Sequence, residues 1–408
     1  MPPGFGRIWA ALATMAVGAR VTRQVLPILA VTTLGANAAQ ISFLHGLLFL
    51  PGIVVGLVAG RAISYVGPLQ ALRVTLLMRA IFLALVPTLH AFGLLGFAGF
   101  CGVVLCLGAL STLSEIAERS LIPLAVPADW LVPANARLAS TDAAAEIVGP
   151  IVMGLLLVVL APANALLVDA ACFLIALTFL ARLLALHPAG ARPGPAPATG
   201  QVADVGQLSR TRVRQLWAQP AVRYLALALA ASTLGSEWMR ALYTVHALTV
   251  LALTPLQIGL TFAAGGFGLL VGSFLARRPV FAGNIRAMAW FLGLNALGLA
   301  FFPVAGTSCC GGMAWLVAGQ FISDTGLIAF LILARSHLQR IVPSSELPSL
   351  FALLSMSTGI MIAVGVVGAG ALGSIIGLSG ALCAPPAIKL LTAAALGLSA
   401  RTKGSLHD

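Results

Sequence analysis

The feature that most constrains this chain is a succession of apolar runs, each about 20 residues long, that recurs from one end to the other. A helix of that length, rising about 1.5 Å per residue, matches the roughly 30 Å hydrocarbon core of a bilayer. Only 8% of the 408 residues are charged and 60% are hydrophobic, whereas a soluble domain carries about 25% charged residues. So little charge cannot cover a water-facing surface, and lipid must be the solvent for most of it. In lipid every backbone group has to be satisfied within the chain, which leaves helices and closed barrels. Runs of this length, without ten-residue alternation, favour helices.

Twelve spans are read. The first half gives 7–31, 41–60, 72–90, 94–113, 134–160 and 163–186. The second gives 221–246, 256–276, 287–304, 313–334, 350–372 and a last span within 374–400. In that last stretch Pro385–Pro386 either kinks the helix or marks its start. Between the halves lies the one long stretch that is not hydrophobic, 187–219. Its Pro-, Gly- and Ala-rich front cannot hold a helix and reads as a linker. The expected organisation is therefore a six-helix bundle over 1–186, a cytoplasmic linker over 187–219, and a second six-helix bundle over 220–408.

The connections between spans divide cleanly by charge. One set holds Arg61 and Arg73, Arg119 and Arg137, the linker, Arg277, Arg278 and Arg286, Arg335 and Arg340, and the tail with Arg401 and Lys403. The alternate set is 32–40, 90–93, 161–162, 247–255, 305–312 and 373–377, and it holds no Lys or Arg. Basic residues collect in cytoplasmic loops, so both termini and the linker are expected on the cytoplasmic side of a bacterial inner membrane. The net charge of +12 is read the same way, and not as a nucleic-acid-binding surface. The first run is too long for a signal-peptide core and contains Arg20 and Arg23, so it is read as a span.

The chemistry that would mark an enzyme is missing from the sequence. There is no Gly-rich phosphate loop with Lys, no nucleophile set in a loop, and no Cys spacing that suits a metal or a disulfide framework. No enzyme activity, cofactor or metal is expected.

The halves repeat each other under a shift of about 216 residues. Arg119-Ser120 falls on Arg335-Ser336, and Val126-Pro127 on Val342-Pro343. Gly149 and Gly154 fall on Gly365 and Gly370, while Gly52, Gly56 and Arg61 fall on Gly268, Gly272 and Arg277. Chance matching among Gly- and Ala-rich helices is the alternative. Two six-span halves in parallel orientation are the layout of one large transporter class.

Three stretches carry a family resemblance: VPANARLASTDAAAEIVGPIVMGLL over 132–156, the region 216–278 that ends LQIGLTFAAGGFGLLVGSFLARR, and LQRIVPSSELPSLFALL over 338–354. With the span pattern, the sequence resembles the major facilitator superfamily. More narrowly it resembles the branch of macrolide-efflux and enterobactin exporters, which are drug:proton antiporters. Gly149, Pro150 and Gly154 are similar to the antiporter motif; ordinary tight helix packing would look the same. The loop after the second helix departs from the superfamily pattern. Gly60 and Gly67 remain, while Ser64 and Tyr65 stand where Asp and Arg are usual. Gly60, Gly67, Arg119 and Arg335 are expected in a cytoplasmic gate loop. The resemblance implies a central cavity lined by helices 1, 4, 7 and 10, which would be faced by Arg20, Arg23, Glu237, Arg240 and Asp324.

A charge near the bilayer centre costs about 2.5–3.5 kcal/mol on insertion scales, so each one in a span needs a partner or a wet cavity. Asp142 and Glu146 lie one helical turn apart and share a face. Two such carboxylates would not both ionise cheaply, and with Asp324 they are expected to couple transport to protons or another cation. Alternatively they pair with Arg20 and Arg23 across helices, which would hold them ionised. Glu237 and Arg240 can neutralise each other. Glu115, Glu118 and Arg119 are expected as a salt-bridge cluster at the cytoplasmic end, and Asp169 as a packing residue. The expected activity is proton-coupled efflux of a small amphipathic compound by alternating access, by a monomer surrounded by membrane lipids. A lipid or lysophospholipid carrier of the same fold, or a non-transporting sensor or assembly partner, are the alternatives.

Overall fold

The computed structural model describes residues 5–49, 51–52, 55, 59, 63, 65–127, 130–186, 217, 219–306, 312–342 and 347–404. Among them there are helices and no strand. In chain order they are α1 (Phe5–Thr32), α2 (Ala38–Phe49), α3 (Pro68–Ala91), α4 (Phe97–Ala125), α5 (Leu131–Val159) and α6 (Pro162–Leu186). Then follow α7 (Pro220–Thr249), α8 (Pro255–Ala276), α9 (Ile285–Ala305), α10 (Gly312–Ile341), α11 (Leu347–Ile376) and α12 (Ala384–Gly404). Short helical turns at Pro279–Phe281 and Leu378–Ala381 join neighbours. The fold is an all-α membrane protein of twelve helices in two pseudo-symmetric sets of six.

Among the described residues, nine helical stretches are long and apolar enough to cross a bilayer. Helices α1 and α7, of 28 and 30 residues, are long enough but carry charges along their length. The apolar run that begins in α2 continues into residues 50–64, only partly described.

Local chemistry sets the helix starts. Thr254 caps α8 through a reciprocal box with Gln257, with Pro255 in the first turn, which satisfies two orphan backbone donors at once. Asn284 caps α9 by accepting from the amides of Arg286 and Ala287. Gly67 leads into α3 at φ 86°, a conformation that disfavours any residue with a Cβ. Pro385–Pro386 falls in the first turn of α12, so the pair marks a start and not a kink; a first-turn Pro loses no hydrogen bond.

Several helices outrun the apolar stretches that announced them. The fourth span, expected to end at 113, continues to Ala125, and the tenth, expected to end at 334, continues to Ile341. Arg119 and Arg335, expected in loops, therefore lie inside α4 and α10. Hydropathy measures the segment that meets lipid, while the helix continues wherever polar residues are met by protein or water.

The chain divides into two compact units, 1–36 with 44–200, and 37–43 with 201–408. In the first, α1 packs on α5 and α6, and α3 packs on α4 and α6. In the second, α7 packs on α11 and α12, and α9 packs on α10 and α12. Each contact recurs six helices later. Most of the expected linker, 187–219, lies outside the described residues.

The matched glycines sit at matched contacts. Gly52 faces Thr112 on α4, while Gly268 of α8 faces the backbone of α10 at Phe321 and Thr325. Gly149 of α5 faces Arg20 on α1, and Gly365 of α11 faces Leu234 and Trp238 on α7. Small residues are what allow helix backbones to approach closely in lipid. A Cβ at Gly268 would lie 2.5 Å from the Phe321 carbonyl oxygen, a backbone atom that cannot swing away. Gly268→Val is therefore expected to destabilise the second unit by about 1–3 kcal/mol. Gly102→Val, with nothing within 4 Å of its Cβ, is expected to be neutral. Thermal midpoints of the detergent-solubilised variants check the contrast.

Candidate functional site

In the first unit the polar groups gather around α1. Arg20 lies just past the middle of that helix, and its Nη2 is 3.1 Å from Glu146 Oε1 on α5. Gly149 lies one turn beyond Glu146, and a side chain there would collide with the Arg20 stem. The glycine thus leaves room for the arginine to lie along α5 and reach the carboxylate. Of the two readings open for Glu146 in the sequence, the geometry displays the pairing with α1. Pro150 lies within α5, which is helical on both sides of it, and Gly154 is buried.

Beside this pair is a cavity of about 410 Å³ walled by α1, α3, α4 and α5. Arg20, Arg79, Ser114, Glu115, Glu118 and Asp142 contribute to its lining, as do Arg23 and Arg119. Glu115, Glu118 and Arg119, expected as a cytoplasmic-end cluster, thus line this cavity together with Arg79 of α3. Asp142 is exposed, one turn from Glu146.

Asp169 on α6 is completely buried. One of its carboxylate oxygens accepts from the Thr22 hydroxyl on α1, and Gly18, one turn earlier, makes room for it. Nearby, the Arg79 guanidinium lies 4.2 Å from the centroid of Phe173, also on α6. A cation over an aromatic face is attracted by the ring quadrupole, more strongly when both are desolvated. Asp169, Glu118 and Glu115 supply negative charge around Arg79.

The second unit has its own polar centre. Asp324, near the middle of α10, accepts from Gln320 at 2.8 Å and stands against Gly265 of α8. Glu237 and Arg240 on α7 are joined at 3.4 Å, as their three-residue spacing implied. Lys389 of α12 is 1% exposed. Its Nζ donates to Ser236 Oγ on α7 at 2.7 Å and to Asn295 Oδ1 on α9 at 2.6 Å. Asn295 in turn donates to the backbone and side-chain oxygens of Ser323 on α10, both at 2.8 Å. A single lysine therefore ties α12, α9, α10 and α7 together. Sequence reasoning placed Lys389 only in the uncertain last span. Its bonded partners are neutral, so a search for charge pairs could not find it; the available signal was a lysine inside an apolar run.

Gly67 sits at the start of α3, whereas Gly60 lies outside the described residues. Among the described residues no group of three or more His, Cys, Asp or Glu could hold a metal ion.

The sequence profile of the Major Facilitator Superfamily matches residues 8–365. The chain belongs to this superfamily. Solved superfamily-like transporters share its fold. A bacterial homologue of the human lysosomal transporter Spinster, inward-facing and unoccupied, is 14% identical at a TM-score of 0.72, with 98% of each chain covered. A peptide transporter, POT, in complex with sulfate is 15% identical at 0.71, covering 100% of this chain and 96% of that one. A bacterial homologue of the iron transporter ferroportin, inward-facing, is 15% identical at 0.67, covering 96% and 98%. No curated protein matches the chain in sequence. As a superfamily member the protein is a multi-pass membrane transporter.

The Arg20–Glu146 pair can be measured. Its side chains are 18% and 36% exposed, which places it between a surface and a buried ion pair. Arg20→Gln and Glu146→Gln are each expected to lower the thermal midpoint in detergent. The double variant should lose less than their sum, by roughly 0.5–1.5 kcal/mol of coupling. Strict additivity would show that the two side chains do not interact.

Proposed function

We propose that the protein exports a small amphipathic compound in exchange for protons, in the manner of the macrolide-efflux and enterobactin-exporter branch. Its setting would be a bacterial inner membrane, with both termini and the linker cytoplasmic. The observation that carries this reading is the set of charged side chains from α1, α3, α4 and α5 that line one cavity in the first unit. Intramembrane charge is costly and is kept where it pairs or serves a path. In this unit one carboxylate is paired, Glu146, while Asp142 faces the volume directly.

Asp142 and Asp324 are the carboxylates that would take up and release the proton, joined by Glu146 when its pair with Arg20 opens during the cycle. Arg20, Arg23, Glu237 and Arg240 would face the cargo or balance the carboxylates. Asp324 is the sharpest test, because its contact with Gln320 survives conversion to an amide. Asp324→Asn is expected to abolish uptake driven by a pH gradient in inside-out proteoliposomes while leaving the thermal midpoint within a few degrees. Full gradient-driven transport by that variant would remove Asp324 from the mechanism. Equal flux of a labelled phospholipid with and without a gradient would favour a lipid carrier instead.

A further inference from the structure

The cavity of the first unit holds bonding capacity that the protein does not use. Arg79 is 9% exposed and Ser114 is 2% exposed, yet Arg79 Nε and Ser114 Oγ have no hydrogen-bond partner. Both line the cavity. A buried donor left unmade costs about 1–3 kcal/mol, and more when charged. Other cations in the helices are met by an acceptor: Lys389 makes two hydrogen bonds, and Arg20, whose Nε is likewise without a partner, meets Glu146 through Nη2. Arg79 has its ring contact and the surrounding field, with no bonded acceptor among the described residues.

Next to them the same lining has the complementary property, with Glu118 one turn from Ser114 on α4. Glu115, Glu118 and Asp142 line the same cavity, and among the described residues none forms an ion pair or side-chain hydrogen bond with the protein. A guanidinium and a hydroxyl without a bonded acceptor, adjoining carboxylates without a bonded cation, are the two halves of a receptor for a molecule carrying both signs over a short distance.

We propose that this cavity binds a small zwitterion, its anionic group on Arg79 and Ser114 and its ammonium on Glu118 with Asp142 or Glu115. The inference rests on the transport reading and names the substrate class of that site. The volume of about 410 Å³ suits a compound of amino-acid to dipeptide size. The exchange follows from the chemistry of the carboxylates. An arriving ammonium requires ionised acids, so substrate and proton compete for the carboxylates of this site, which is the condition for exchanging one for the other. The charged groups facing that event are Arg79 on α3, Glu115 and Arg119 on α4, Asp142 on α5, and Arg20 and Arg23 on α1.

The test measures binding to the purified full-length protein by calorimetry, without any gradient. The probes are phenylalanine and leucine, each compared with its deaminated acid and its decarboxylated amine. At least one zwitterion is expected to bind tenfold or more tightly than both single-charge analogues. Arg79→Gln should reduce it to the level of the amine, and Glu118→Gln to the level of the acid. Ser114→Ala, which removes one oxygen, should weaken it severalfold and keeps the test intact if the charged variants fail to fold. Arg286→Gln, at an exposed position in the first turn of α9, should change nothing. Equal binding of all probes, no binding by any, or a zwitterion preference that survives Arg79→Gln and Ser114→Ala would overturn the proposal. Selective binding without gradient-dependent flux would instead overturn the transport reading. Gradient-driven flux without selective binding would overturn this site alone.

Discussion

No water reaches the middle of a bilayer, so each charge placed there must be met by protein or enclose its own wet volume. That requirement organises both units. In the first, Arg20 is met by Glu146 because Gly149 lets the arginine lie against α5. In the second, Lys389 is met by Ser236 and Asn295, and Asn295 by Ser323. The partners come from three helices besides its own, so the lysine binds the bundle together while its own charge is satisfied. What the first unit leaves unmet, around the cavity of α1, α3, α4 and α5, is where a cargo can supply the missing contacts.

The repeat in the chain is a repeat of approaches between helices. Gly52, three residues past α2, lies against α4 as Gly268 of α8 lies against α10. Gly149 and Gly365 come where α5 meets α1 and α11 meets α7. At the second of these approaches the chemistry has diverged. Gly149 accommodates an arginine stem, whereas Gly365 accommodates backbone, and Gly235 beside it accommodates the stem of Lys389. A shared scaffold thus carries a charge pair in one unit and a lysine–amide network in the other.

How legible this was depended on which solvent wrote the signal. Lipid writes in runs of apolar residues, so the helices and their order could be read, and Pro385–Pro386 located the start of α12. Lipid does not mark where a helix leaves it. Glu115, Glu118 and Arg119 therefore read as the end of a span, although α4 continues past them to Ala125 and turns them toward a cavity. Pairs on one helix, such as Glu237 and Arg240, follow from spacing alone. Contacts across helices, such as Thr22 with Asp169 or Lys389 with Asn295, depend on packing that no local pattern encodes.

A carrier of this kind must cross the bilayer with its basic connections all on one face. The most direct measurement is labelling by a membrane-impermeant maleimide in intact cells, using single cysteines in a background freed of the native ones. Ala282, between α8 and α9, belongs to the basic connections; Ala91 and Ala161 belong to the uncharged ones. Cysteines at Ala91 and Ala161 should label in intact cells, and one at Ala282 only after the membrane is opened. Labelling of all three from outside, or of Ala282 together with either of the others, would contradict the topology and the carrier built on it.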